Sequence, residues 1–222
     1  ISTIDYVFSP ETWIDANLRV MKEFPEVIFL PGFWAEAGMC AEPSAFGCRL
    51  SFFPDRTPQA HPLISSLDEL DRVVEPNPET DGLMPMLLNL YRRAEPKIND
   101  AGGAIKVVAA RGPMTVASHL MGVTDFVMGL KLDPDKAHRL LKLTTALVKN
   151  WLHAQASALK EVEGIMVLDD ITGFVSPADF QEFALPYLQE IFGAFPGTVK
   201  IFHNDTNNVV PYRFLRQIPV DI

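Results

Sequence analysis

The sequence predicts an α/β fold of the (β/α)8, or TIM-barrel, type, present in this chain as an incomplete barrel. Three observations predict it. Short, continuously apolar runs alternate with longer amphipathic stretches, the order expected of parallel βαβ units. The runs lack the polar alternation of a half-exposed sheet, so they read as strands covered on both faces. No glycine-rich dinucleotide or phosphate-binding fingerprint follows any of them, which favours the barrel over an open nucleotide-binding sheet.

The elements follow in order. Ser9 and Pro10 read as an N-cap and first helical residue, with Trp13, Leu18 and Met21 on one side of a helix over 10–23. Val27–Leu30 is a short apolar run ended by Pro31 and Gly32, and reads as a first buried strand. Residues 34–77 form a long excursion rich in Pro, Gly and Glu, with a strand-like patch at 49–53. A helix is expected over 84–95 and a strand over 104–110, running into Arg111-Gly112-Pro113. The next helical stretch carries Val116, Leu120, Phe126, Val127 and Leu130 and is broken at Gly122. Asp133 and Pro134 open the clearest helix, with Leu140, Leu141, Thr144, Leu147, Val148 and Trp151 at spacings of three and four. A strand over 164–168 leads to Asp169-Asp170, and Ser176-Pro177 cap a helix through Phe192. A strand over 199–202 leads to His203-Asn204-Asp205, and 218–222 begins another. A full eight-stranded barrel takes about 250 residues. The chain does not begin with Met, so flanking sequence is expected on both sides of a single barrel domain spanning 1–222.

Composition narrows the function. With 48% hydrophobic and 21% charged residues, the 222-residue chain can bury a sizeable core. A net charge of −9 argues against gripping nucleic-acid phosphates, which takes clustered Lys and Arg. Cys40 and Cys48 are too few for a disulfide framework and point to a reducing, cytoplasmic compartment, where both act as small apolar fillers. No run approaches the ~18 apolar residues of a membrane span.

Loops leaving the C-terminal ends of parallel strands converge on one face, so Arg111, Asp169, Asp170, His203, Asn204 and Asp205 are expected to share a mouth. Arg111 has an alternative as a structural partner of a carboxylate, and Asp169 or Asp170 can cap a following turn. His203, directly after a strand and two residues before a carboxylate, offers a metal ligand or a general acid/base. Alternate residues of an extended segment point the same way, so His203 and Asp205 can face one site. His61, His119, His138 and His153 read as structural or surface residues.

Val167-Leu168-Asp169-Asp170 followed by the segment from Ser176 to Tyr187 resembles the strand-to-helix unit of the uroporphyrinogen decarboxylase superfamily. Gly112-Pro113-Met114-Thr115 with Leu120-Met121-Gly122 is similar to the preceding unit, and Glu42–Cys48 to an early loop. That superfamily holds cobalamin-dependent methyltransferases as well as the decarboxylase, and the resemblance implies a (β/α)8 barrel.

In the branch that methylates thiols the family has His-x-Cys and zinc where this chain has His203, Asn204 and Asp205. Zinc accepts carboxylate as well as imidazole. The resemblance therefore implies a Zn²⁺ site from His203, Asp205 and Glu182, with Asp169 near the position of a further upstream ligand, which would fall at Val167. From their strand-end positions Asp169, Asp170 and Arg111 are expected as further catalytic residues beside His203 and Asp205, and Asn204 as a cofactor contact. The partners the resemblance implies are a corrinoid protein carrying cobalamin and a small methyl donor or acceptor, such as a methoxylated aromatic or methylamine; a homodimer is left open. The decarboxylase branch is the alternative: it needs no cofactor and uses a buried Asp and several Arg to hold an acidic tetrapyrrole. A third reading is a non-catalytic barrel that carries a corrinoid or tetrapyrrole.

Overall fold

The computed structural model describes all residues from Ile1 to Ile222. Two helices open the chain, α1 (Thr3–Phe8) and α2 (Pro10–Glu23). Ser9 caps α2 by accepting from Thr12 N, and the helix buries Trp13 and Ile14. The expected strand at Val27–Leu30 does not form. Ile28 is 87% exposed, Val27 and Leu30 are about half exposed, and no neighbouring strand pairs with them. An apolar run becomes a strand only where a sheet edge receives its N–H and C=O groups. The excursion that follows contains α3 (Ala41–Ala45) and a two-residue antiparallel ribbon of β1 (Leu50–Ser51) and β2 (Gln59–Ala60), then a 3₁₀ turn over Leu67–Arg72.

The α/β part begins with α4 (Met84–Asp100), five residues longer than the sequence reading and running through Pro96. It continues through β3 (Val107–Arg111), α5 (Pro113–Met121), α6 (Val123–Leu132) and α7 (Pro134–Ser157). Gly122, at φ 94°, takes the left-handed turn that separates α5 from α6. Asp133 caps α7 on Lys136 N. After β4 (Gly164–Leu168) come a 3₁₀ turn over Asp170–Phe174 and the short α8 (Pro177–Asp179). A π-helical turn over Phe180–Ala184 separates α8 from α9 (Leu185–Gly193). The single helix expected here is interrupted because Pro186 has no N–H to give Glu182, four residues back, and the wider π turn accommodates the loss. The chain ends with β5 (Val199–His203), α10 (Val210–Phe214) and a 3₁₀ turn over Leu215–Gln217.

The main sheet is parallel in the order β3-β4-β5, with Arg111, Leu168 and His203 level across it. This is an arc of the barrel and is not closed. The expected strand at 218–222 appears only as its last residue: Ile222 donates to Lys200 O and accepts from Phe202 N, the parallel ladder pattern beside β5.

Alternation along the strands divides the core. Val108, Ala110, Ile165 and Val167 face the helices and join Val116, Leu147, Val148 and Trp151 in the large apolar cluster. Ala109, Met166, Leu168 and Ile201 line the other face, where Trp34 covers them. Each large apolar side chain so buried contributes about 1.5–3 kcal/mol. No helix is long and apolar enough to cross a membrane.

Candidate active site at the strand ends

The period of two that sorts the core also sorts the polar residues just beyond it. Arg111 and His203 continue the inner rows of β3 and β5, and Asp170 and Asp205 keep the same parity, each two residues past its strand. Asp169 and Asn204 have the opposite parity and turn toward the helix layer.

Asp169 is fully buried and accepts from Met114 N at 3.0 Å, Thr115 N at 2.9 Å and Thr115 Oγ1 at 2.8 Å. It thus closes the first turn of α5, whose N-cap residue Gly112 has no side chain to do so. Gly112 is required by this approach, since a Cβ there would stand 2.4 Å from the Asp169 carboxylate. Burial pushes the Asp169 carboxyl up to about 7, against the pull of its three donors. Asn204 is equally committed. Its Nδ2 donates to Asp169 O at 2.8 Å and Thr172 Oγ1 at 3.0 Å, and its Oδ1 accepts from Thr206 N and Oγ1. Both residues join the strand-end loops to each other.

The inner residues form two groups. In one, Asp170 Oδ1 accepts from Asp205 N at 3.1 Å and lies 3.9 Å from His203 Nδ1. His203 Nδ1 is buried and has no hydrogen-bond partner, although 39% of the side chain is exposed. A 3.9 Å gap is too long for a hydrogen bond, and such gaps in ligand-free catalytic sites commonly close when substrate binds.

In the other group, Arg111 pairs with Glu36, its guanidinium lies 4.8 Å from the centre of the Trp34 ring, and its backbone N–H donates to Glu42 Oε1 at 2.9 Å. The Arg111 guanidinium is thus held between the Glu36 carboxylate and a π face, and its backbone is held by Glu42. Burial raises the Glu42 carboxyl above the ordinary carboxylate range, and Glu42 Oε2 and Arg111 Nε are buried without partners. Glu36, Glu42 and Trp34 are members of the site that strand-end reasoning missed. For Glu42 alone, the early-loop resemblance at Glu42–Cys48 was a signal; Glu36 and Trp34 had none.

Three expected site residues are placed elsewhere. Glu182 lies on the π-helical turn, 54% exposed and 3.8 Å from His138, which stacks on Phe183. Asp169 and Asn204 serve the helix side of the strand ends. No three His, Cys, Asp or Glu side chains are gathered closely enough to hold a metal ion. As placed, the donors do not make a zinc site, which would need further ligands beside His203 and Asp170. Cys40 and Cys48 are buried, free thiols, both pushed up to about 11 by burial, in keeping with their role as fillers. His138 hydrogen-bonds to the Tyr187 hydroxyl, His153 stacks on Phe195 and His61 bonds Ser51, all outside this site.

The chain has similar sequences and a similar fold among known proteins. Over its length the chain is 22% identical to a methyltransferase from Methanosarcina mazei, with a TM-score of 0.74 over 95% of this chain and 60% of that one. It is 25% identical to a uroporphyrinogen decarboxylase of Thermodesulfovibrio yellowstonii across 80% of this chain and 52% of the relative. It is 28% identical to that of Aromatoleum aromaticum across 67% of this chain and 42% of the relative. The chain therefore spans about half the length of the curated relatives it matches. The family model described as uroporphyrinogen decarboxylase (URO-D) matches residues 1–222, and the chain belongs to that family.

Proposed function

We propose that this protein is a methyltransferase moving a methyl group between a small methylated substrate, a methoxylated aromatic or methylamine, and a corrinoid carried by a partner protein in the cytoplasm. The observation that carries the reading is the charge of the strand-end face. His203 and Asp170 stand there with the exposed Asp205 beside them, and the Arg111 guanidinium is already paired with Glu36 and set against the Trp34 ring. Such a face suits a neutral or cationic methylated compound better than a tetrapyrrole bearing many carboxylates. The fold shared with the Methanosarcina methyltransferase agrees with it.

The corrinoid supplies the centre that takes or gives the methyl group. A heteroatom losing its methyl gains negative charge and needs a proton; one gaining a methyl must shed one. His203, whose Nδ1 lies 3.9 Å from Asp170 Oδ1 and can donate to it if that gap closes on binding, is the residue to move that proton, and Trp34 packs over the apolar residues of the inner face.

The names of the curated relatives favour the alternative, decarboxylation of uroporphyrinogen. One experiment separates the two. The protein is mixed with a corrinoid protein and a panel of methoxylated aromatics and methylamines while corrinoid absorbance is followed, and in parallel with uroporphyrinogen while released CO₂ is measured. Substrate-dependent change in cobalt methylation without CO₂ supports the proposal. CO₂ release with an unchanged corrinoid spectrum overturns it, and corrinoid binding without methyl transfer would make the barrel a carrier.

A further inference from the structure

A cavity of about 160 Å³ lies beside the loop that carries Trp34 and Glu36, walled by α1, α2, α4 and residues 57–58. Its lining is mainly aromatic and aliphatic, with Tyr6, Trp13, Trp34, Pro58 and Leu90 prominent, and Glu36 is its only charged residue. An apolar cavity of about 150 Å³ takes up benzene. The size therefore selects a single ring.

Glu36 sets the ligand's polarity. Arg111 Nη2 occupies Oε2, while Oε1 accepts no hydrogen bond and the side chain is 29% exposed. The ion pair leaves no net charge to attract a cation, but a free carboxylate oxygen to accept from a hydroxyl.

The wall itself is unusual. Ala37, Gly38 and Met39 all have positive φ, at 51°, 61° and 69°. Two of these are L residues in a conformation they rarely adopt, and such residues gather at ligand clamps. Gly38 packs so closely on Pro58 that a Cβ would stand 2.6 Å from Pro58 Cδ, which locks the two sides of the cavity together.

We propose that this cavity binds a single-ring aromatic compound bearing a hydroxyl, the ring seated among Tyr6, Trp13 and Trp34 and the hydroxyl donating to Glu36. The cavity adjoins the candidate active site, with which it shares Trp34 and Glu36, but its occupancy is read without any methyl transfer. Trp34 and Glu36 also touch Arg111, so an occupant is felt at the strand ends.

The test is titration of the protein with phenol and with benzene, followed by tryptophan fluorescence and by NMR for nuclear Overhauser contacts between ligand and indole protons. Saturable phenol binding with contacts to Trp13 or Trp34, and benzene weaker by roughly tenfold or more for want of the charge-assisted hydrogen bond, is expected. Leu90→Trp, which fills the cavity, abolishes phenol binding while leaving the circular dichroism spectrum folded. Should that variant not fold, the Overhauser contacts in the unsubstituted protein decide. Equal affinity for the two ligands, contacts away from both indoles, no saturable binding, or a folded Leu90→Trp protein that still binds phenol each overturn the proposal.

Discussion

Replacing Asp169 by Ala removes the only acceptor for three buried donors at the start of α5: Met114 N, Thr115 N and Thr115 Oγ1. Each buried donor left unpaired costs about 1–3 kcal/mol. Part of this is offset because a carboxyl that burial disfavours has gone as well, so a net loss of roughly 3 kcal/mol is expected at pH 5. For a chain of this size that lowers Tm by roughly 6–12 °C. The pH dependence has a definite sign. The folded-state carboxyl titrates at about 7, above its unfolded value of about 3.9. Its contribution is therefore complete below the unfolded value and is lost as pH rises through the folded one, at up to about 1.4 kcal/mol per pH unit. Thermal melts of the wild-type protein and Asp169→Ala at intervals from pH 5 to 8 should show a gap that narrows as pH rises. A variant melting with the wild type at pH 5 would refute the capping role, and a gap that widens with pH would mean that the donors hold Asp169 ionised.

Trp151→Ala opens a cavity in the fully buried face of α7, and urea denaturation should register a loss of about 3–5 kcal/mol. Asn204→Ala frees the two strand-end loops from each other; a stability loss of about 1–2 kcal/mol is expected, together with faster amide exchange over 169–173. Glu182→Ala, which removes only a part-exposed neighbour of His138, should leave the rate of methyl transfer unchanged; a tenfold loss would return Glu182 to the site.

Most of the helices and all of the main strands were legible in the sequence because local chemistry determines them. Ser9-Pro10, Asp133-Pro134 and Ser176-Pro177 are caps whose hydrogen bonds are made within one turn, and the structure has all three. The runs at 107–111, 164–168 and 199–203 found partners in one another. Val27–Leu30 misled because apolar content shows what a segment tolerates, whereas strand formation depends on a partner distant in sequence. The same limit governs the site. The structure sets Arg111, Asp170, His203 and Asp205 at or just past the strand ends, where strand-end placement expected them, and counting parity from the strands separates them from Asp169 and Asn204. Glu36, Glu42 and Trp34 come from the long excursion, whose path over the sheet leaves no local periodic trace. Glu182, which the resemblance adds to the zinc set, sits on the π turn, and the structure sets it against His138.

The most direct test of the central claim is the rate of methyl transfer between corrinoid protein and methylated substrate in wild-type and His203→Ala protein, read from corrinoid absorbance in a single turnover. The account predicts a fall of roughly 10²–10⁴-fold with Tm nearly unchanged, because the part-exposed imidazole moves a proton and holds little of the fold together. Transfer at the wild-type rate by a folded His203→Ala protein would contradict it.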